Sequence, residues 1–177
     1  MLKNKRGFTI VEIMIVVIVV AILVTLTIVT YNGMKRRAED AKRVSDLTSL
    51  VKAIQIYKHR NGAFTAINTP YAMTNGGWDS SAKAPTTFLS ALVPDETQVV
   101  PLDPVNDDGM NGGRFGYRYY VFDAGSSGCD ATKGRYFVLV GRTDNNAKKL
   151  EGHEGFSCPL RDWSGEGSWV VGGFEKP

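Results

Sequence analysis

Histidine and cysteine are scarce in these 177 residues, with two of each, and their placement excludes most enzyme classes. His59 and His153 lie far apart in the chain and suggest no base and nucleophile pair. There is no G-x-S-x-G, no H-E-x-x-H and no phosphate-binding loop. Cys129 and Cys158 do not form a C-x-x-C arrangement, and the histidines do not cluster with both of them at the spacing a zinc site needs. The expectation is therefore a chain with no catalytic residues, no cofactor and no metal site. An excess of positive charge is also missing once its position is considered. The formal net charge of +3 equals the contribution of Lys3, Lys5 and Arg6 in the first seven residues, and the remaining charges are interspersed. No nucleic-acid partner is inferred.

Two further absences shape the N-terminal third. No proline occurs between Phe8 and Gly62, and no charged residue between Ile13 and Val29. The apolar run beginning at Phe8, with Glu12 its one charge, reaches the roughly 20 residues that a helix needs to cross hydrocarbon about 30 Å thick. Lys3, Lys5 and Arg6 favour a cytoplasmic leader under the positive-inside rule, while Lys35, Arg36 and Arg37 beyond the span oppose it. Those three read as a solvated or lipid-facing collar. An ordinary secretory signal is cut after its apolar region, whereas the small residue beside the charges here is Gly7, upstream of that region. Cleavage at Gly7 would leave the hydrophobic helix on the mature chain.

An acid inside such a helix is costly to insert and calls for a cationic partner. Cleavage after Gly7 would create one, because the new amine of Phe8 lies one helical turn from Glu12. The partner is either that amine or the amine of a neighbouring copy. Alternatively, Glu12 sits at the headgroup boundary and reaches water.

Lys-Arg-Gly-Phe-Thr-Ile-Val-Glu followed by an aliphatic helix resembles the prepilin signature of type IV pilins and of the pseudopilins of type II secretion and competence systems. The resemblance covers about the first 35 residues and, less sharply, the helix that follows. It implies cleavage by a prepilin peptidase between Gly7 and Phe8, N-methylation of Phe8 and a role for Glu12 in joining subunits. Its implied partners are identical or related pilin subunits, an inner-membrane assembly platform with its ATPase, and membrane lipid. The chain would be a single-pass cytoplasmic membrane protein with its head outside, then part of a pilus or pseudopilus. One departure is the missing proline late in the apolar helix, which leaves Asn32-Gly33 as the helix-weakening pair nearby. The competing expectation is a monomeric membrane-anchored binding module or hydrolase that does not polymerise.

From Met34 to Tyr57 apolar residues recur in steps of three and four through Ala38, Ala41, Val44, Leu47, Val51 and Ile54, with Leu50 on the same side. Arg37, Asp40, Arg43, Asp46 and Lys58 are assigned to the opposite face. Asn61-Gly62 ends the helix. Thr86 to Leu92 suggests a short helix. Phe115 to Phe122, Tyr136 to Val140 and Trp169 to Phe174 read as antiparallel strands. The fold class is α+β, a long N-terminal helix packed on a small antiparallel sheet, pilin-like by the resemblance. The expected divisions are a leader over 1–7, a transmembrane and assembly helix over 8–33, an amphipathic helix over 34–61 and a head over 62–177.

In an exported head Cys129 and Cys158 are expected to form a disulfide, worth about 3 to 4 kcal/mol in the chain-entropy account, with two free thiols as the alternative. Asp103, Asn106, Asp107 and Asp108 could present oxygens to calcium, and the stretch resembles a calcium-holding Asp-Pro loop of some major pseudopilins. It lacks the alternate spacing and final glutamate of an EF-hand, and turn formation closed by Gly109 explains it as well.

Overall fold

The computed structural model describes residues 7–65, 77–107, 115–142, 155–165, 167 and 169–177. Lys3, Lys5 and Arg6 of the leader, Asp108 and Gly109 of the acidic loop, and His153 lie outside the described residues. The chain divides into two compact units, Met1–Glu39 and Asp40–Pro177.

Helix α1 runs over Ile10–Asn61. Nothing in it breaks the hydrogen-bond ladder, and it continues through Asn32 and Gly33. At its end Gly62 takes a left-handed φ of 73° and donates its N–H to the Lys58 carbonyl at 2.8 Å, the closure that glycine makes without steric penalty. Lys58, His59 and Arg60 occupy the last turn, where cations oppose the partial negative charge of the exposed carbonyls.

In the first unit the large apolar side chains of α1 that are described are exposed, from Ile10 at 80% to Met34 at 61%. By length and composition α1 is able to cross a membrane.

The second unit is an antiparallel sheet with the Asp40 to Asn61 part of α1 on one face. Its strands are β1 (Asp79–Ser80), β2 (Arg118–Phe122), β3 (Tyr136–Gly141) and β6 (Trp169–Phe174), in the order β1-β2-β3-β6. The pairs Tyr119 with Leu139 and Leu139 with Val171 fix its register. Alternation along the strands sends Tyr119, Phe137, Leu139 and Trp169 into a core with Leu47, Leu50 and Ile54 of α1. Gly141 has no side chain for a reason: a Cβ there would collide with Leu47. The opposite face buries Tyr136, Val138, Val140 and Val170 beneath Trp163 and the two cysteines. Every residue of β3 is buried, and its unbroken apolar run fits a strand covered on both faces.

The cover of this second face comes from a small hairpin, β4 (Ser157–Cys158) with β5 (Arg161–Asp162), and from aromatic side chains. Trp78 and Trp163 meet edge to face with centroids 6.0 Å apart, and the Arg161 guanidinium lies 3.8 Å from the Trp163 ring centre.

Two expectations are corrected. Thr86 to Leu92 is a series of turns with a 3-10 segment only over Ser90–Leu92. Leu89 sits in the left-handed region at φ 47° and donates its N–H to Asp79 Oδ2 at 3.1 Å, so the backbone leaves the helical path there. Arg43, assigned to the solvated face of α1, is buried at 1% exposure. It stands four, seven and eleven residues before Leu47, Leu50 and Ile54, on the stripe that faces the core. Along α1 the first fully buried residue is Arg43, with Glu39 and Asp40 partly covered before it, while Met34, Ala38 and Ala41 are exposed.

Glu175, just after β6, joins three segments. It accepts from Arg135 Nε at 2.9 Å, from the Arg135 N–H at 3.3 Å and from the Phe64 N–H at 3.4 Å. Burial acts to raise its pKa, but the Arg135 and Phe64 hydrogen bonds outweigh that and hold it below the ordinary glutamate value of 4.5. A depressed folded-state pKa gives stability that is complete above the unfolded value and is lost as pH falls through the folded one. Thermal melts of the solubilised chain should therefore show Glu175→Gln least harmful at the acid end, with its deficit from the parent growing as pH rises toward 4.5 and constant above it. A deficit independent of pH would show that the carboxylate charge contributes nothing.

Candidate functional site

The start of α1 carries the residues on which the sequence reading rests. Gly7 lies before the helix in backbone with no regular secondary structure, and a Cβ placed on it would meet nothing within 4 Å. Phe8 is exposed beside it. Thr9 and Glu12 form a reciprocal cap: Thr9 Oγ1 accepts the Glu12 N–H at 3.2 Å, and Glu12 Oε2 accepts both the Thr9 N–H and the Thr9 hydroxyl at 2.8 Å. Two backbone donors that have no partner within the helix are satisfied in this way. Within one chain, then, Glu12 fixes where α1 begins. Its carboxylate is exposed, with Ile10 and Ile13 around it also exposed. The Thr-x-x-Glu spacing could have been read as a capping box from the sequence, and sequence reasoning passed over it.

The acidic loop has another occupation. Asp103 is buried, and its Oδ2 accepts from Arg43 Nε at 2.8 Å while Oδ1 accepts from Arg43 Nη2 at 3.3 Å. Oδ1 also accepts the N–H groups of Val105 at 2.9 Å and Asn106 at 3.2 Å, which folds the loop back on itself. Asn106 is held by Ser81, whose hydroxyl donates to Asn106 Oδ1 at 2.8 Å. Arg43 Nη1 reaches Asp40 at 2.7 Å, and the guanidinium lies 4.8 Å from the Phe115 ring centre. Burial works against the charged guanidinium, but the Asp103 and Asp40 carboxylates outweigh it and raise the Arg43 pKa further. Burial and the nearby Asp46 carboxylate push Tyr117 well above the ordinary tyrosine value, so its hydroxyl stays protonated and donates to Asp46 Oδ2 at 3.0 Å. A side-chain cation thus sits directly beside Asp103. Among the described residues no three His, Cys, Asp or Glu side chains are grouped to hold a metal ion.

Cys129 and Cys158 are joined by a disulfide. The bond ties the 3-10 turn Ser126–Gly128 after β2 to strand β4, and the Leu160 N–H donates to the Ser127 carbonyl at 3.0 Å beside it.

Residues 2–28 match the family described as the prokaryotic N-terminal methylation motif. Over 130 residues the chain is 34% identical to the type II secretion system core protein G of Escherichia coli (strain K12), covering 71% of this chain and 84% of that protein. The chain belongs to the pilin and pseudopilin family. Type II secretion system core protein G of Dickeya chrysanthemi is 33% identical over 85 residues, covering 48% of this chain and 51% of that protein. That of Aeromonas hydrophila is 32% identical over 84 residues, with 48% and 54% covered. No solved structure matches the chain at a comparable level of significance. As a pseudopilin relative the chain is a structural subunit of a pseudopilus and not an enzyme. Family membership also implies processing by a prepilin peptidase and assembly with related subunits.

Proposed function

We propose that the chain is made as a precursor, cut between Gly7 and Phe8, methylated on the Phe8 amine, and polymerised through its N-terminal helix into the periplasmic pseudopilus of a type II secretion system. In this reading residues 1–7 form a cytoplasmic leader, 8–33 the membrane and assembly helix, 34–61 the amphipathic helix and 62–177 the extracytoplasmic head. Glu12 pairs with the Phe8 amine of a neighbouring subunit. An inner-membrane platform with its ATPase supplies the force that lifts each subunit out of lipid. Secretion is favoured over adhesion or motility because the matched relatives carry type II secretion names.

The observation that carries this reading is the conjunction of the methylation motif over residues 2–28 with exposed aliphatic side chains on the helix it opens. Such a surface is stable only in lipid or against other helices. N-terminal mass spectrometry of membrane and filament fractions should find a mature chain starting at methylated Phe8. Assembled material that begins at Met1 would contradict it. Gly7→Leu should accumulate as uncut precursor in the membrane, and a Cβ there would meet nothing within 4 Å, so the substitution adds no clash at the backbone. Normal processing of Gly7→Leu would move the cleavage site elsewhere.

A further inference from the structure

We propose that Lys35, Arg36 and Arg37 form a collar that binds anionic phospholipid headgroups at the outer end of the membrane-length part of α1. The proposal rests on the reading that this segment spans the membrane. From Ile13 to Tyr31 the helix rises about 27 Å, close to the thickness of the hydrocarbon layer. Tyr31 is 64% exposed and falls at the far boundary, where amphipathic aromatic rings settle. Lys35 lies one turn further, roughly 6 Å along the axis, at headgroup depth.

Three consecutive positions at about 100° each spread the cations over more than half of the helix circumference, so no rotation of the helix turns all of them from the lipid. All three residues are exposed. The Lys35 side chain keeps 62% of its surface open and its contact to Glu39 is long, at 3.7 Å. An exposed pair of this kind is weak and yields readily to a phosphate. Arg37 makes no ion pair among the described residues. Guanidinium groups bind phosphate through paired N–H donors, and Arg37 supplies one such group.

The same cations oppose the proposed topology, because positive charge flanking the outer end of a span works against a cytoplasmic N-terminus. Once the leader is removed they are the basic cluster left beside the apolar segment. Contact with anionic headgroups offsets that opposition and sets the depth at which the unassembled subunit rests. Leaving the bilayer for a filament would then require breaking these contacts.

The test uses the full chain with Lys3, Lys5 and Arg6 replaced by glutamine throughout, so that the leader adds no cations of its own, in vesicles of phosphatidylcholine that carry trace spin-labelled phosphatidylglycerol or spin-labelled phosphatidylcholine. Electron paramagnetic resonance reads how much of each label is held at the protein surface. The parent should prefer phosphatidylglycerol by roughly 3- to 10-fold at low salt, with the preference shrinking as salt is added. Lys35→Gln with Arg36→Gln and Arg37→Gln should lose it, and Lys35→Arg with Arg36→Lys and Arg37→Lys should keep it. Absence of a preference in the parent, its survival in the neutral variant, or its equal loss in the charge-conserving variant overturns the collar. A chain washed out of the vesicles by alkaline carbonate overturns the collar and the membrane-spanning reading together. A salt-sensitive preference that the neutral variant loses supports the collar whether or not the chain polymerises elsewhere.

Discussion

Asp103→Ala is expected to destabilise the second unit by about 3 to 5 kcal/mol, because it leaves the Arg43 guanidinium buried without its main counter-charge. For a unit of this size that corresponds to a fall in Tm of roughly 10 to 20 °C. The effect has two sources that separate variants distinguish. Asp103 neutralises Arg43 through two hydrogen bonds, and it also receives the Val105 and Asn106 N–H groups that form the turn. Asp103→Asn keeps an acceptor for the turn and removes the charge, so it should cost less than Asp103→Ala while still leaving a buried cation unpaired. Adding Arg43→Met to Asp103→Asn takes that cation away and should recover stability. Thermal melts of the detergent-solubilised chain decide it. If the double variant is less stable than Asp103→Asn alone, the buried charge is not what makes the loss large, and packing of the guanidinium on Phe115 becomes the better cause.

This network also marks where sequence reading reaches its limit. Helix α1 and the strands Arg118–Phe122, Tyr136–Gly141 and Trp169–Phe174 are long enough for periodicity and β-branched or aromatic content to show. Strands Asp79–Ser80, Ser157–Cys158 and Arg161–Asp162 have two residues each, which is too short for any alternation to register. Arg43 carries the spacing of a core position, but a charged side chain is assigned to water unless its partner is known. That partner, Asp103, is 60 residues away, and the pairing exists only once the sheet brings the loop against the helix. The same pairing engages Asp103 itself, whose oxygens accept from a guanidinium and two backbone N–H groups that its sequence neighbours do not announce. The disulfide was legible because two cysteines in a domain expected to be exported leave a single pairing. At the N-terminus, local spacing contains the Thr9 and Glu12 cap in full, whereas any pairing of Glu12 with Phe8 belongs to a cleaved chain among neighbours.

Glu12 therefore has one role visible in the isolated chain and one proposed for the filament, and two substitutions separate them. Glu12→Gln keeps an oxygen that can accept the Thr9 N–H and so preserves the cap, while removing the negative charge. Glu12→Ala removes both. Each variant should insert in the membrane at least as well as the parent, since an acid in an apolar helix opposes insertion. Each should also be cut after Gly7, because the scissile residues are unchanged. Assembly is where the proposed role acts: without the carboxylate, the Phe8 amine of a neighbouring subunit is left charged in a low-dielectric core. Sheared filament yield relative to mature protein in the membrane should drop on the order of tenfold or more for both variants. If Glu12→Gln assembles like the parent and only Glu12→Ala fails, the cap at Thr9 is the whole contribution of this residue. If both assemble like the parent, the acid plays no part in joining subunits. Crosslinking between neighbouring helices in the same samples separates slow assembly from filaments that form and then break, because the proposed charge pair acts as each subunit docks and should leave few crosslinked neighbours in either variant.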